Sequence, residues 1–175
     1  IVILVALFGL YLYTYRRKLL DNLRHVLFFA ILMALIISAA FLVLRHFSAS
    51  YIFLIPFAWV PIIARVFYDS RTAIFIHIIT VFIVSIAAPA PYVFILLQVI
   101  TGIVAVISLR DMTQRAQLAQ TALFTFLMYS VVYTATTLLV TGSITNVEYN
   151  YYIYFAVNAV LVICAYGLIF LFERT

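Results

Sequence analysis

Apolar runs and short polar gaps alternate along the whole chain, and the runs have the length of bilayer crossings. A helix rises about 1.5 Å per residue, so about 20 apolar residues cover roughly 30 Å of hydrocarbon. Seven runs read as spans: 1–15, 26–44, 51–68, 72–88, 91–109, 116–141 and 149–172. The first is short, about 22 Å by the same rise, and opens within apolar sequence, the expectation for a chain cut at its outer end. Isolated strands cannot satisfy their backbone in lipid, and no alternating pattern of barrel strands appears, so every span is expected to be helical. The pattern predicts an all-α membrane protein, a polytopic bundle of seven transmembrane helices forming one domain over 1–175.

The gaps are as informative as the spans. Nine of the ten Lys and Arg residues fall in alternate gaps: Arg16, Arg17, Lys18 and Arg24 in the first, Arg65 and Arg71 around the third, Arg110 and Arg115 in the fifth, and Arg174 after the last. Only Arg45 breaks the alternation. Short cytoplasmic loops retain Lys and Arg, which predicts an outer N-terminus and a cytoplasmic C-terminus. The joints after spans three and four hold hardly more than a turn, so spans three to five are expected to be consecutive antiparallel neighbours. Pro89 and Pro91 break the chain at the second of these joints, and residues 141–146 form a polar external loop. Pro56 and Pro61 lie inside span three, where each removes a backbone hydrogen bond and predicts a kink or local unwinding.

Composition strengthens the membrane reading. Hydrophobic residues make up 69% and charged residues 9% of the chain, against about a half and a quarter in soluble domains, and mean hydropathy is +1.27. The net charge of +5 is spread over separate short loops instead of forming one stripe, which suits orientation and anionic headgroups and argues against nucleic acid. Cys164 is alone and cannot form an intrachain disulfide. The first run lacks the charged start and cleavage site of a signal peptide.

Several chemistries are excluded by what the spans lack. All five carboxylates sit at span ends or in loops, so the paired intramembrane acids of an aspartyl protease are missing. His25, His46 and His77 are dispersed without the spacing of a zinc helix. Lys18, the one lysine, lies in a loop, which excludes a retinal Schiff base. A pump carries ionisable groups along its path, and counting turns from the loops places none of the acids or bases in the central layer. Seven spans without an internal repeat also fit an inverted-repeat transporter poorly.

Neutral polar residues remain. Gln98, Tyr133 and Asn158 on spans five, six and seven lie roughly 10 to 12 Å below the outer boundary. Tyr129, Tyr133, Thr136, Thr137 and Val140 follow helical spacing on span six. Two readings stand for this layer: interhelical hydrogen bonds, worth about 0.6 kcal/mol each, or a ligand cavity lined by Gln98, Tyr129, Tyr133, Thr137 and Asn158. The tyrosines that open span seven, Tyr149, Tyr151, Tyr152 and Tyr154, read as an interfacial belt or as an aromatic cage. Near the cytoplasmic face Arg65, Asp69, Arg71 and His77 fall within about two helical turns of one joint, with Asp69 placed to cap the fourth helix. Together with Arg110, Asp111 and Arg115 in the run 108–120 they form either ordinary capping and pairing or a coupling surface toward a cytoplasmic partner.

Three stretches carry a family resemblance: YIFLIPFAWVPIIARVFYDSRTAIFIHIIT at 51–80, SLRDMTQRAQLAQTALF at 108–124 and the closing FLFERT at 170–175. Through them the chain resembles the membrane domain of bacterial seven-transmembrane-receptor HD hydrolases, which include cyclic-di-AMP phosphodiesterases. The resemblance implies an external sensory domain before the first helix and a cytoplasmic HD phosphohydrolase domain after the seventh. It also implies a bacterial inner-membrane location and a homodimer. The divalent metal of such enzymes belongs to the HD domain, and this chain contains no His-Asp pair, so no catalytic or metal residue carries over and no cofactor is expected in this segment. The expected partners are the lipid bilayer, the protein's own external and HD domains, and a small-molecule ligand still without identity. A small-molecule permease subunit and a passive membrane anchor are the alternatives.

Overall fold

The computed structural model describes residues 2–15, 23–109 and 115–173. Seven α-helices occupy them: α1 (Val2–Tyr15), α2 (Leu23–His46), α3 (Trp59–Phe67), α4 (Ser70–Ser85), α5 (Pro91–Ser108), α6 (Arg115–Thr141) and α7 (Asn150–Glu173). Two short 3₁₀ segments, Ala49–Leu54 and Ile144–Asn146, complete the described fold, which contains no strand among these residues. The runs Val26–His46, Ala49–Phe67, Pro91–Ser108 and Gln117–Thr141 are long and apolar enough to cross a membrane. At 16 residues, α4 reaches only about 24 Å.

Serial antiparallel packing builds the bundle. α5 lies between α4 and α6, α6 between α5 and α7, and α3 touches α2, α4, α5 and α7. α4 is the central helix: Ala73, Ile76, His77, Thr80, Val81 and Val84 are buried on every side of it. α1 packs on α4, with the Tyr11 ring stacked on Phe75 at 4.0 Å and its hydroxyl 3.3 Å from Thr72 Oγ1. α2 buries Phe29, Leu32, Ile36 and Ala40 and exposes Leu27, Ile31, Leu35 and Leu42. A continuous exposed apolar face of that kind is stable only against lipid.

The third span is not one helix. The chain leaves α2 and forms the 3₁₀ segment Ala49–Leu54, then passes through Ile55 and Pro56 before α3 begins at Trp59. The break lies at Pro56, which has no N–H to continue the ladder. Pro61 stands in the first turn of α3, where the amide would have no intrahelical partner in any case, so it interrupts nothing.

At the α3–α4 joint the Tyr68 amide bonds the Ala64 carbonyl and ends α3. Asp69 occupies the N-cap position of α4, but its side chain makes no cap bond to a backbone amide. The Thr72 hydroxyl donates to its Oδ1 at 2.7 Å instead. At the other end of the bundle the chain turns through Ile86–Ala90, and Pro91 opens α5 at a first-turn position that suits proline.

Candidate ligand and coupling site

α7 is fastened to the broken third span at three levels. Nearest the end opposite the basic loops, the Tyr151 hydroxyl lies 3.1 Å from Ser50 Oγ. Two turns further in, Asn158 Nδ2 donates to the Phe53 carbonyl at 2.9 Å and to the Ile55 carbonyl at 2.8 Å. Below that, Trp59 Nε1 donates to the Leu161 carbonyl at 2.7 Å. Positions 151, 158 and 161 share one helix face by their spacing. Tyr51 against Tyr154 at 5.5 Å and Phe53 against Phe155 at 6.0 Å fill the seam between these bonds.

The middle bond follows from the break. A helix stopped by proline leaves carbonyls with too few donors, and in a dry interior each such group costs several kcal/mol. Asn158, with a relative exposure of 0%, supplies from a neighbouring helix a donor to the Phe53 carbonyl and a second donor to the Ile55 carbonyl, which also accepts from the Phe57 amide at 2.9 Å.

A second polar chain crosses α4, α5 and α6. His77 Nε2 lies 2.8 Å from the Gln98 carbonyl, and the Tyr129 hydroxyl donates to Gln98 Oε1 at 2.6 Å. A carbonyl can only accept, so the ring carries its proton on Nε2. The imidazole rests on Gly102, where a Cβ would overlap the ring. Tyr129 is stacked on Phe155 at 5.1 Å, which links this chain to the α7 seam through an aromatic contact. Buried Gln98 Nε2, Thr101 Oγ1 and Asn158 Oδ1 have no hydrogen-bond partner among the described residues.

The third feature is a cavity of about 130 Å³ at the end opposite the basic loops. The 3₁₀ segment contributes Ser50 and Phe53, the α4–α5 turn Pro89, α5 Phe94, α6 Tyr133 and α7 Tyr151. Tyr133 is stacked on Tyr151 at 4.7 Å, and its hydroxyl accepts a long bond of 3.4 Å from the Glu148 amide.

The residues singled out from the sequence therefore separate. Gln98 and Tyr129 are bonded to each other, Asn158 turns to the broken span, and of the five expected cavity residues only Tyr133 lines this cavity. Thr137 stands one turn along α6 beside the Tyr133 hydroxyl. His77 does not join Arg65 and Asp69; it sits midway along α4 with 1% exposure, against α5. His77 lies two turns into α4, as counted, but α4 has only 16 residues, so those two turns reach its middle and place an ionisable side chain in the central layer. Among the described residues Arg65 reaches the Tyr68 carbonyl, at 3.5 Å, and Arg71 is exposed. Arg110 and Asp111 lie outside the described residues, as do Arg16, Arg17, Lys18 and Arg174. Arg115 opens α6.

Ser50, Phe53, Ile55 and Trp59 were not anticipated as partners of span seven. Their signal was the pairing of an interrupting proline in one span with an asparagine deep inside another. Among the described residues no three His, Cys, Asp or Glu side chains converge into a metal-donor set.

No curated protein and no solved structure matches the chain. The family model described as a 7TM receptor with intracellular HD hydrolase matches residues 1–175, the full length of the sequence. With its all-helical apolar bundle, the chain belongs to that family of multi-pass membrane receptor domains.

Proposed function

We propose that this domain senses a stimulus outside or within the outer half of the membrane and passes it through α7 to a cyclic-di-AMP phosphodiesterase of the HD type on the cytoplasmic side. The observation that carries the reading is the fastening of α7 to the broken third span through Tyr151, Asn158 and Leu161. α7 is the last helix, so whatever displaces the 3₁₀ segment displaces the element that leads toward the hydrolase. A non-helical segment held by side-chain bonds has fewer backbone constraints than a continuous helix, and a two-state element of this kind is what a transmembrane signal requires. The basic gaps supply the orientation by the positive-inside rule, in the inner membrane of a bacterium, with two copies associating as a homodimer.

The test uses the full-length protein in inside-out membrane vesicles, with hydrolysis of added cyclic-di-AMP as the readout. Hydrolysis is expected without detergent, and Asn158→Leu is expected to change its rate at least about threefold, the effect of roughly 0.7 kcal/mol of coupling. An unchanged rate in Asn158→Leu would reduce the domain to a passive anchor. Activity that appears only after permeabilisation would reverse the orientation.

A further inference from the structure

We infer that the cavity beneath the α4–α5 turn is a binding site for a small uncharged ring compound bearing one hydroxyl, of the phenol class. Size sets the first limit. An apolar cavity of about 150 Å³ holds benzene, and this one, at about 130 Å³, is of the same order, so it suits a single six-membered ring with at most one small substituent. Lining chemistry sets the second. Phe53, Pro89 and Phe94 present carbon, whereas the hydroxyls of Ser50, Tyr133 and Tyr151 bring the polar atoms.

Those hydroxyls are only partly used. Ser50 and Tyr151 share one bond of 3.1 Å, and Tyr133 accepts the long bond of 3.4 Å from the Glu148 amide and faces the Thr137 hydroxyl. Each hydroxyl offers one donor and two acceptor sites, so a ligand hydroxyl can be both recognised and satisfied. Among the described residues no Lys or Arg lines the cavity, which leaves an anion without a counter-charge there and makes its desolvation unfavourable. A molecule seated there touches the 3₁₀ segment, the α4–α5 turn, α5, α6 and α7 at once. Its effect on the hydrolase rests on the sensor reading above; its binding does not.

The test is calorimetric titration of the protein in nanodiscs with phenol, benzene and benzoate, each corrected against empty discs for partition into lipid. Saturable binding is expected for phenol, about tenfold weaker binding for benzene, and none for benzoate. Tyr133→Phe is expected to bring phenol and benzene to within about threefold of each other. Ala88→Leu, which fills the cavity from the turn, is expected to abolish both, and Val93→Phe does the same from α5 should the first variant fail to fold. Full phenol binding in a folded filled variant overturns the proposal, as does benzoate binding as well as phenol or phenol uptake no greater than in empty discs. Phenol binding that leaves hydrolysis by the full-length protein unchanged supports the site and removes the sensor role instead.

Discussion

His77 and Gly102 show how one side chain fixes the approach of two helices. The imidazole lies where a Cβ of residue 102 would be, so α4 and α5 meet as closely as they do because α5 has a glycine at that position. A glycine within a helix costs about 1 kcal/mol relative to alanine, and here the cost is offset by the space for a ring that bonds the Gln98 carbonyl. Gly102→Ala should destabilise the domain by about 1 to 3 kcal/mol, the range for overpacking a tight interior. Thermal unfolding in detergent measures this, and adding His77→Ala should restore part of the loss, because the two changes relieve one clash and couple strongly. If the double variant loses the sum of the two single losses, the ring and the glycine do not share the space. The sequence disclosed the depth of His77, because distance along a helix is a count of residues. It did not disclose the face, because that depends on how the helix is rotated against its neighbours. The same limit separated Gln98 from Asn158, which share a depth but not a partner.

Breaks in helices matter most among the elements. The apolar runs anticipated all seven helices, since a lipid-facing helix writes its length directly into the sequence. Most ends moved by a few residues where local chemistry decided: α4 starts at Ser70 behind Asp69, and α2 extends to His46 through Arg45, whose long side chain can reach the interface from a helix end; in the run 51–68 only Trp59–Phe67 is α-helical. The two prolines of span three read alike in sequence but act differently, because only position within the helix tells whether an amide is needed. Pro61→Ala leaves the helix hydrogen bonds as they are but trims a buried side chain, so it should cost about 1 to 2 kcal/mol through lost packing without opening the backbone. Pro56→Ala returns an N–H at the break and should let residues 53–58 approach helical bonding. Hydrogen exchange checks the contrast: altered protection at 53–58 is expected in Pro56→Ala and not in Pro61→Ala. Equal behaviour of the two variants would mean that the break does not originate at Pro56.

Across the whole molecule, charge and hydrogen bonding divide the work. Arg24, Arg65 and Arg71 mark one end, and the aromatic cavity and the Ser50–Tyr151 pair mark the other. Between them run α7 and the broken span, joined by Asn158 and Trp59. The membrane class and the basic-loop alternation were legible because both depend on composition over many residues. This junction was not, because its acceptors are backbone carbonyls, those of Phe53 and Ile55 beside the break and that of Leu161 on α7, and the sequence records no backbone group. The most direct test of the junction uses the native Cys164, exposed on α7, and a second cysteine at Ser48→Cys, exposed beside the 3₁₀ segment where Ser48 makes no side-chain cap bond. Spin labels at these two positions report the seam as a distance distribution by double electron–electron resonance in nanodiscs. One narrow distribution is expected in the otherwise native protein, and a broadened or shifted one when Asn158→Leu is added. An unchanged narrow distribution in the Asn158→Leu protein would contradict the claim that this asparagine holds the last helix to the broken span.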